Sequence, residues 1–188
     1  MSLLSFVEWL ASTSGSIALH ESQYMYSIVE STHVLGLCLF LGTLLSVDLR
    51  MIGVLLKRLP VNEVVARVLP WTFAGFAVMV VTGVALFYAI PVRSYQSLFF
   101  RIKVVLLILA GLNAWHYHRK AHPTADQWGK DEVPPQAVRV SAMVSLATWT
   151  LVIFAGRFIA YNWFDCDRQP QPAFVNWAAG CVVETDSE

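Results

Sequence analysis

The chain has 188 residues, 56% of them hydrophobic and 14% charged, with 13 basic side chains balanced by 13 acidic ones. Soluble domains run at about 45–50% apolar and about 25% charged, so the mean hydropathy of +0.56 excludes an ordinary soluble globule. The zero net charge gives none of the basic footprint of a nucleic-acid binder, and no nucleic-acid partner is expected.

In chain order, residues 3–11 form an apolar stretch too short to span a bilayer. They read as a short interfacial helix, separated from the first long apolar block by a break at Ser12-Thr13-Ser14-Gly15-Ser16. The stretch has no basic n-region and carries Glu8 among its apolar residues, so it is not read as a secretory leader. Four long apolar blocks occupy 24–47, 68–92, 98–117 and 138–163. A spanning helix needs about 20 residues, and lipid offers backbone amides no water, so each block is expected to be a helix. Trp71, Trp115, Tyr117, Tyr161 and Trp163 fall near block ends, where interfacial aromatics sit. The loop 118–137 and the tail 164–188 are polar, which divides the chain into a four-helix transmembrane domain, 1–163, and a polar tail. The expected fold is an all-α integral membrane four-helix bundle with a short N-terminal interfacial helix.

Basic residues set the orientation. Arg50, Lys57, Arg58, Arg67, Arg119, Lys120, Lys130 and Arg139, eight of the thirteen, lie in or beside the loops after the first and third blocks. The positive-inside rule puts those loops in the cytoplasm and both termini outside.

A charge at the centre of a spanning helix costs roughly 2.5–3.5 kcal/mol on insertion scales, so each one needs a reason. The topology gathers Glu30, His33, Arg101, Lys103 and Arg157 toward the outer face, and Asp48, Arg50, Asn113, His116 and His118 toward the inner. His33 either hydrogen-bonds across helices or ligates a cofactor. Arg101 is expected to snorkel to the outer headgroups. Arg157 sits deeper, either at an anionic cofactor group or at Glu30. Gly36, one turn after His33, leaves room for a close helix or a flat ligand. His33, Lys103 and Arg157 are expected to face one another inside the bundle. His33 lies about 14 Å into its helix and His118 about 30 Å into a parallel one, so roughly 16 Å of depth separates them and they cannot share one haem. His116, His118 and His122 read as interfacial; His118 and His122 are four apart but have no evident third metal ligand. Cys38 reads as a small apolar residue. Cys166 and Cys181 share an outside, oxidising tail, and a disulfide is expected there.

Two stretches carry a resemblance. One is His33-Val34-Leu35-Gly36-Leu37, followed by Asp48-Leu49-Arg50-Met51-Ile52-Gly53; the other is Phe100-Arg101-Ile102-Lys103-Val104, followed by Asn113-Ala114 and His118. Together, over residues 20–160, they resemble an uncharacterised family of small bacterial four-helix membrane proteins. That family is distantly similar to the membrane domain of the copper-resistance D proteins and to b-type cytochrome membrane subunits. The resemblance implies a bacterial inner membrane, with both termini periplasmic, and its cytochrome-like pattern implies bis-histidine haem, although the second and fourth blocks contain no histidine.

Three functions are consistent with these residues. In the first, the chain is a redox-type subunit holding b-type haem or quinone near the periplasmic face. His33 is then the candidate haem-iron ligand or a hydrogen-bond partner, Lys103 and Arg157 bind propionates or a quinone carbonyl, and for haem either His20 supplies a second ligand or the iron stays five-coordinate. In the second, it is a cofactor-free accessory subunit contacting lipid and other subunits of a respiratory or photosynthetic complex. The third is copper transport or tolerance, although the five Met residues form no cluster. No hydrolase or nucleotide-binding motif is present.

Overall fold

The computed structural model describes residues 3–121, 124–161 and 163–181. Among them the order is α1 (Leu3–Ala11), α2 (Ser14–Glu21), α3 (Gln23–Ile52), α4 (Val61–Ala89), α5 (Pro91–Tyr95), α6 (Leu98–Lys120), α7 (Ala125–Trp128), α8 (Gln136–Ile159) and α9 (Ala173–Ala179). Four of these, α3, α4, α6 and α8, are long and apolar enough to cross a membrane. The chain is a multi-pass, all-α membrane protein whose spans contact lipid. At 1.5 Å per residue, α3 and α4 are about 45 Å long and α6 and α8 about 35 Å, against a hydrocarbon core of about 30 Å. The first pair therefore tilts or projects beyond the lipid.

Local chemistry sets the ends. Ser22 and Ser97 cap α3 and α6, their hydroxyls accepting from the Met25 and Phe100 amides. Gly53, at φ 83°, closes α3 in a left-handed turn that suits glycine. The second span begins at Val61, seven residues before the apolar block, because Glu63 and Arg67 pair across one exposed turn at 2.6 Å. It stops at Ala89 because Pro91 pushes Ile90 out of helical geometry (φ −137°, ψ 60°). Three short helices, α2, α7 and α9, occupy stretches that the sequence marks only as polar or breaking.

The spans pack in the order α4, α3, α8, α6, with α4 and α6 meeting at the end that carries α1, α2 and α9, the outer end of the expected orientation, where Phe87 stacks on Phe100 at 5.4 Å. The closest approach is α3 on α4. A Cβ at Gly75 would lie 2.7 Å from the Phe40 amide nitrogen and 3.0 Å from the Gly36 carbonyl oxygen; one at Gly36 would lie 2.9 Å from Val78. Phe40 fills the centre, with its ring edge on Trp149 of α8 at 4.7 Å. At the inner end Met51, Val61, Ala125, Trp128, Val138 and Ala142 form the buried apolar cluster. Beside it Arg50, wholly buried, donates from Nε to the Leu59 carbonyl (2.7 Å) and from Nη2 to the carbonyls of Asp131 (2.9 Å) and Gly129 (3.3 Å). Both inner loops are thereby tied to α3.

The outer end is closed by the N-terminal helices and the tail. Ser16 Oγ donates to the Tyr88 carbonyl, and Thr13 Oγ1 and the Tyr88 hydroxyl are hydrogen-bonded, both at 2.7 Å. Arg101 does not snorkel freely. It donates to the carbonyls of Tyr95 (3.1 Å) and Ala178 (2.9 Å) and so clamps α9. The tail carries the expected Cys166–Cys181 disulfide, and its Asp165 pairs with Ser97 beside the start of α6.

Gly75→Val is expected to force α3 and α4 apart and to lower stability in detergent by about 1–3 kcal/mol, the usual cost of overpacking. Gly42→Val, where a Cβ meets nothing within 4 Å, is the neutral comparison in the same thermal unfolding assay. A pH effect is expected at Asp165. Burial, reinforced by the like charge of Asp167 and opposed by Arg93, raises its carboxyl above the ordinary value. A raised folded value favours the protonated form, so this stability is present below the unfolded value of about 3.9 and lost as pH rises through the folded one. Asp165→Asn is therefore expected to stabilise the protein at neutral pH, with the advantage shrinking on acidification in thermal unfolding followed against pH.

Candidate functional site

The outer halves of α3 and α4 hold the polar pair that organises the site. The close crossing matches Phe40 to Gly75 and Gly36 to Met79. The same register sets His33, one turn nearer the outer face, against Thr82 and Gly83. His33 Nδ1 lies 3.0 Å from Thr82 Oγ1. A Cβ at Gly83 would lie 3.3 Å from His33 Cε1, so the glycine lets the ring lie against α4.

This network assigns the tautomer. Thr82 Oγ1 has one proton and sits 2.6 Å from its own helix's Val78 carbonyl, to which it donates. Its oxygen then accepts from His33 Nδ1–H. The Met79 carbonyl also faces the ring and lies 3.3 Å from Thr82 Oγ1. With the Thr82 proton committed to Val78, Nδ1 carries the hydrogen and Nε2 keeps its lone pair. Such fixing of one imidazole nitrogen leaves the other as a directed acceptor or ligand.

Lys103 comes from the opposite helix pair. It is half-buried on α6, near enough to His33 for their charges to interact. Its Nζ lies 3.6 Å from where a Cβ on Gly156 of α8 would stand. Among the described residues no hydrogen-bond acceptor or ion-pair partner reaches Lys103. One acceptor nitrogen and one ammonium donor thus converge from two sides in the half of the bundle that carries the N-terminal helices.

Two expected members of the site are elsewhere. Arg157 does not face His33. It is exposed, donates from Nη2 to the Tyr161 hydroxyl at 3.1 Å and stacks over that ring at 5.0 Å. Tyr161, one turn nearer the interface, gives the guanidinium a polar partner on its own face, which removes any need to turn inward. His20 does not join His33 either. It is exposed on α2 and lines an outer cleft of about 370 Å³ with Ser16, Glu21 and Arg93. A second axial histidine is thus not in place. His116 and His118 lie at the inner end of α6, as their depth requires, and His122 falls outside the described residues. Cys38 faces outward from α3.

Thr82 and Gly83 escape the sequence reading because the second block holds no formal charge. The available signal is the Thr-Gly pair itself, a hydroxyl beside a missing Cβ in an apolar helix.

The sequence profile of a family of unknown function, DUF6644, matches residues 5–162. The chain belongs to that family. The match runs from α1 to just past α8, so it includes His33, Thr82, Gly83 and Lys103 and leaves out most of the tail. It names no activity and carries no mention of haem or copper. No curated protein and no solved structure matches the chain.

Nitrogen-15 NMR of histidine-labelled protein is expected to find His33 protonated at Nδ1, with Thr82→Val relaxing that preference and lowering stability by about 0.5–1.5 kcal/mol, the worth of one hydrogen bond. A wild-type His33 protonated at Nε2 contradicts the assignment.

Proposed function

We propose that the chain is a redox-type subunit of the bacterial inner membrane that holds a quinone between His33 and Lys103, near the periplasmic face. The observation that carries this reading is the pairing of a lone-pair nitrogen, His33 Nε2, with an ammonium lacking any acceptor within the described residues. A quinone is an electron carrier whose head-group oxygens accept hydrogen bonds when oxidised and donate them when reduced. Lys103 Nζ suits the first form and His33 Nε2 the second. Thr82 holds the imidazole in the required tautomer, and Gly83 lets it lie close to α4.

The same residues fit haem poorly. His20, the candidate second ligand, lies in another cleft, and Arg157, the candidate propionate partner, is turned to Tyr161. Copper handling draws no support from geometry: among the described residues no three His, Cys, Asp or Glu side chains gather to hold a metal.

Orientation with both termini periplasmic rests on two independent supports. Eight of the thirteen basic residues lie in or beside the two inner loops. The Cys166–Cys181 disulfide lies at the opposite end, where an oxidising compartment is required.

A second reading, the accessory subunit, is favoured by α6. Its Ile102, Val105, Ile108, Leu109, Leu112 and Trp115 are exposed over most of its length, a surface suited to a partner helix as well as to lipid.

Purified in mild detergent and extracted with organic solvent, the protein is expected to release a quinone in stoichiometric amount, with His33→Phe and Lys103→Met losing most of it. A Soret band in the oxidised and reduced spectra of wild-type protein would replace quinone by haem. Absence of both cofactors, with the chain migrating in a larger complex, would leave the accessory reading standing.

A further inference from the structure

We propose that Asp48, together with Ser145 and Tyr117, forms a second site, in the inner half of the membrane, that holds one monovalent cation: a proton or a sodium ion. The proposal is independent of the quinone reading, since it uses none of the same residues and lies toward the opposite face.

Asp48 is only 2% exposed, and its Oδ2 has no hydrogen-bond partner. It lies four residues before the end of α3. A carboxylate in that position, out of water and with one oxygen bare, must be discharged by something.

Among the described residues, none of the elements packed around Asp48 makes an ion pair with it. On α3 itself, Arg50 is two positions away and therefore on another face; its Nε and Nη2 are committed to loop carbonyls, and its Nη1, buried without a hydrogen-bond partner, makes no ion pair with Asp48. On α4, the crossing register brings Arg67 to the level of Asp48, but Arg67 is exposed and paired with Glu63. From α8 the side chain that meets the carboxyl is Ser145, a hydroxyl, as a hydrogen-bond neighbour. From α6 it is the phenol of Tyr117, close enough to feel the Asp48 charge. Arg139, near the start of α8, makes no ion pair with Asp48 among the described residues. Among the described residues the carboxyl therefore has two hydroxyl-bearing neighbours, Ser145 and Tyr117, and no ion pair. Hydroxyls beside a single carboxylate suit a bound proton or a small hard cation with oxygen ligands.

The surroundings extend in both directions along α8. Thr148, three residues beyond Ser145, lies on the same buried face. One turn nearer the inner surface, Asn113 Nδ2 donates to the Ser141 carbonyl (3.0 Å), while Ser141 Oγ donates to Asn113 Oδ1 (3.1 Å). That pair lines an inner groove of about 480 Å³ with His116 and Gln136. The α6–α8 seam thus carries polar groups from the inner groove to Ser141, one helical turn from Ser145.

The test is infrared spectroscopy of the full chain labelled with carboxyl-13C aspartate, titrated with pH at several sodium concentrations, together with radioactive sodium binding. For a proton site, a buried protonated-carboxyl band is present at neutral pH, is absent in Asp48→Asn, and is lost at alkaline pH independently of sodium. For a sodium site, the band gives way to carboxylate at lower pH as sodium rises, and wild-type protein retains sodium that Asp48→Asn does not. Ser145→Ala shifts the band in either case, which keeps the test valid if Asp48→Asn fails to fold. An Asp48 that is ionised at neutral pH, insensitive to sodium and accompanied by no bound sodium overturns the proposal.

Discussion

The structure depends on how closely α3 approaches α4. In lipid no hydrophobic force drives one helix against another, so association relies on dispersion contact and polar bonds, and small residues at the interface allow both. Gly75 meets the backbone of α3 directly, Gly36 receives Val78 and Met79, and Gly83 receives the His33 ring. These contacts are spaced one helical turn apart on each partner, so a single register settles them all. The same register places Phe40 where it reaches Trp149 on α8. That contact joins the α3–α4 pair to the α6–α8 pair.

Polar groups in this framework divide by what satisfies them. Arg50, Arg101 and Arg157 are each matched to groups nearby: loop carbonyls, the tail helix, and the aromatic ring one turn on. They hold the inner loops, the tail and the outer rim. His33, Lys103 and Asp48 are different. Each leaves a polar atom or lone pair without a partner within the described chain, in a medium where such groups are costly. Arg50 also keeps a bare Nη1, but its Nε and Nη2 fasten two loops to α3, which makes it scaffolding. The two resulting sites lie on one helix, with His33 and Asp48 fifteen residues apart and therefore about 22 Å apart along α3.

The ends of the molecule are unlike. At the inner end an apolar cluster and a buried arginine hold two loops to α3. At the outer end short helices, a disulfide and an arginine clamp form a cap over the spans. The cap includes the cleft where His20 sits, which explains why a histidine close to His33 in sequence is not its neighbour. Ser22 starts a new helix between them, and α2 is held to Tyr88 rather than to α3.

The sequence by itself determined that four helices are long and apolar enough to cross a bilayer and that His33 and Lys103 sit at comparable depth. These properties come from hydropathy, length and rise per residue, all of which act along one helix at a time. It also marked the break after residue 11 and the pair of tail cysteines, because short breaks and close cysteines are local features. The tertiary structure alone decided which way each side chain points around its helix. Depth is a one-dimensional property of sequence, while azimuth depends on what packs alongside. Arg157 has the right depth for the site and the wrong azimuth; Thr82 and Gly83 carry no charge to mark them and yet complete it. Asp48 and Arg50, two residues apart and both charged near the end of a span, were separated by the fold into a carboxyl without an ion pair and a guanidinium held by loop carbonyls through Nε and Nη2, because residues two apart on a helix face different neighbours.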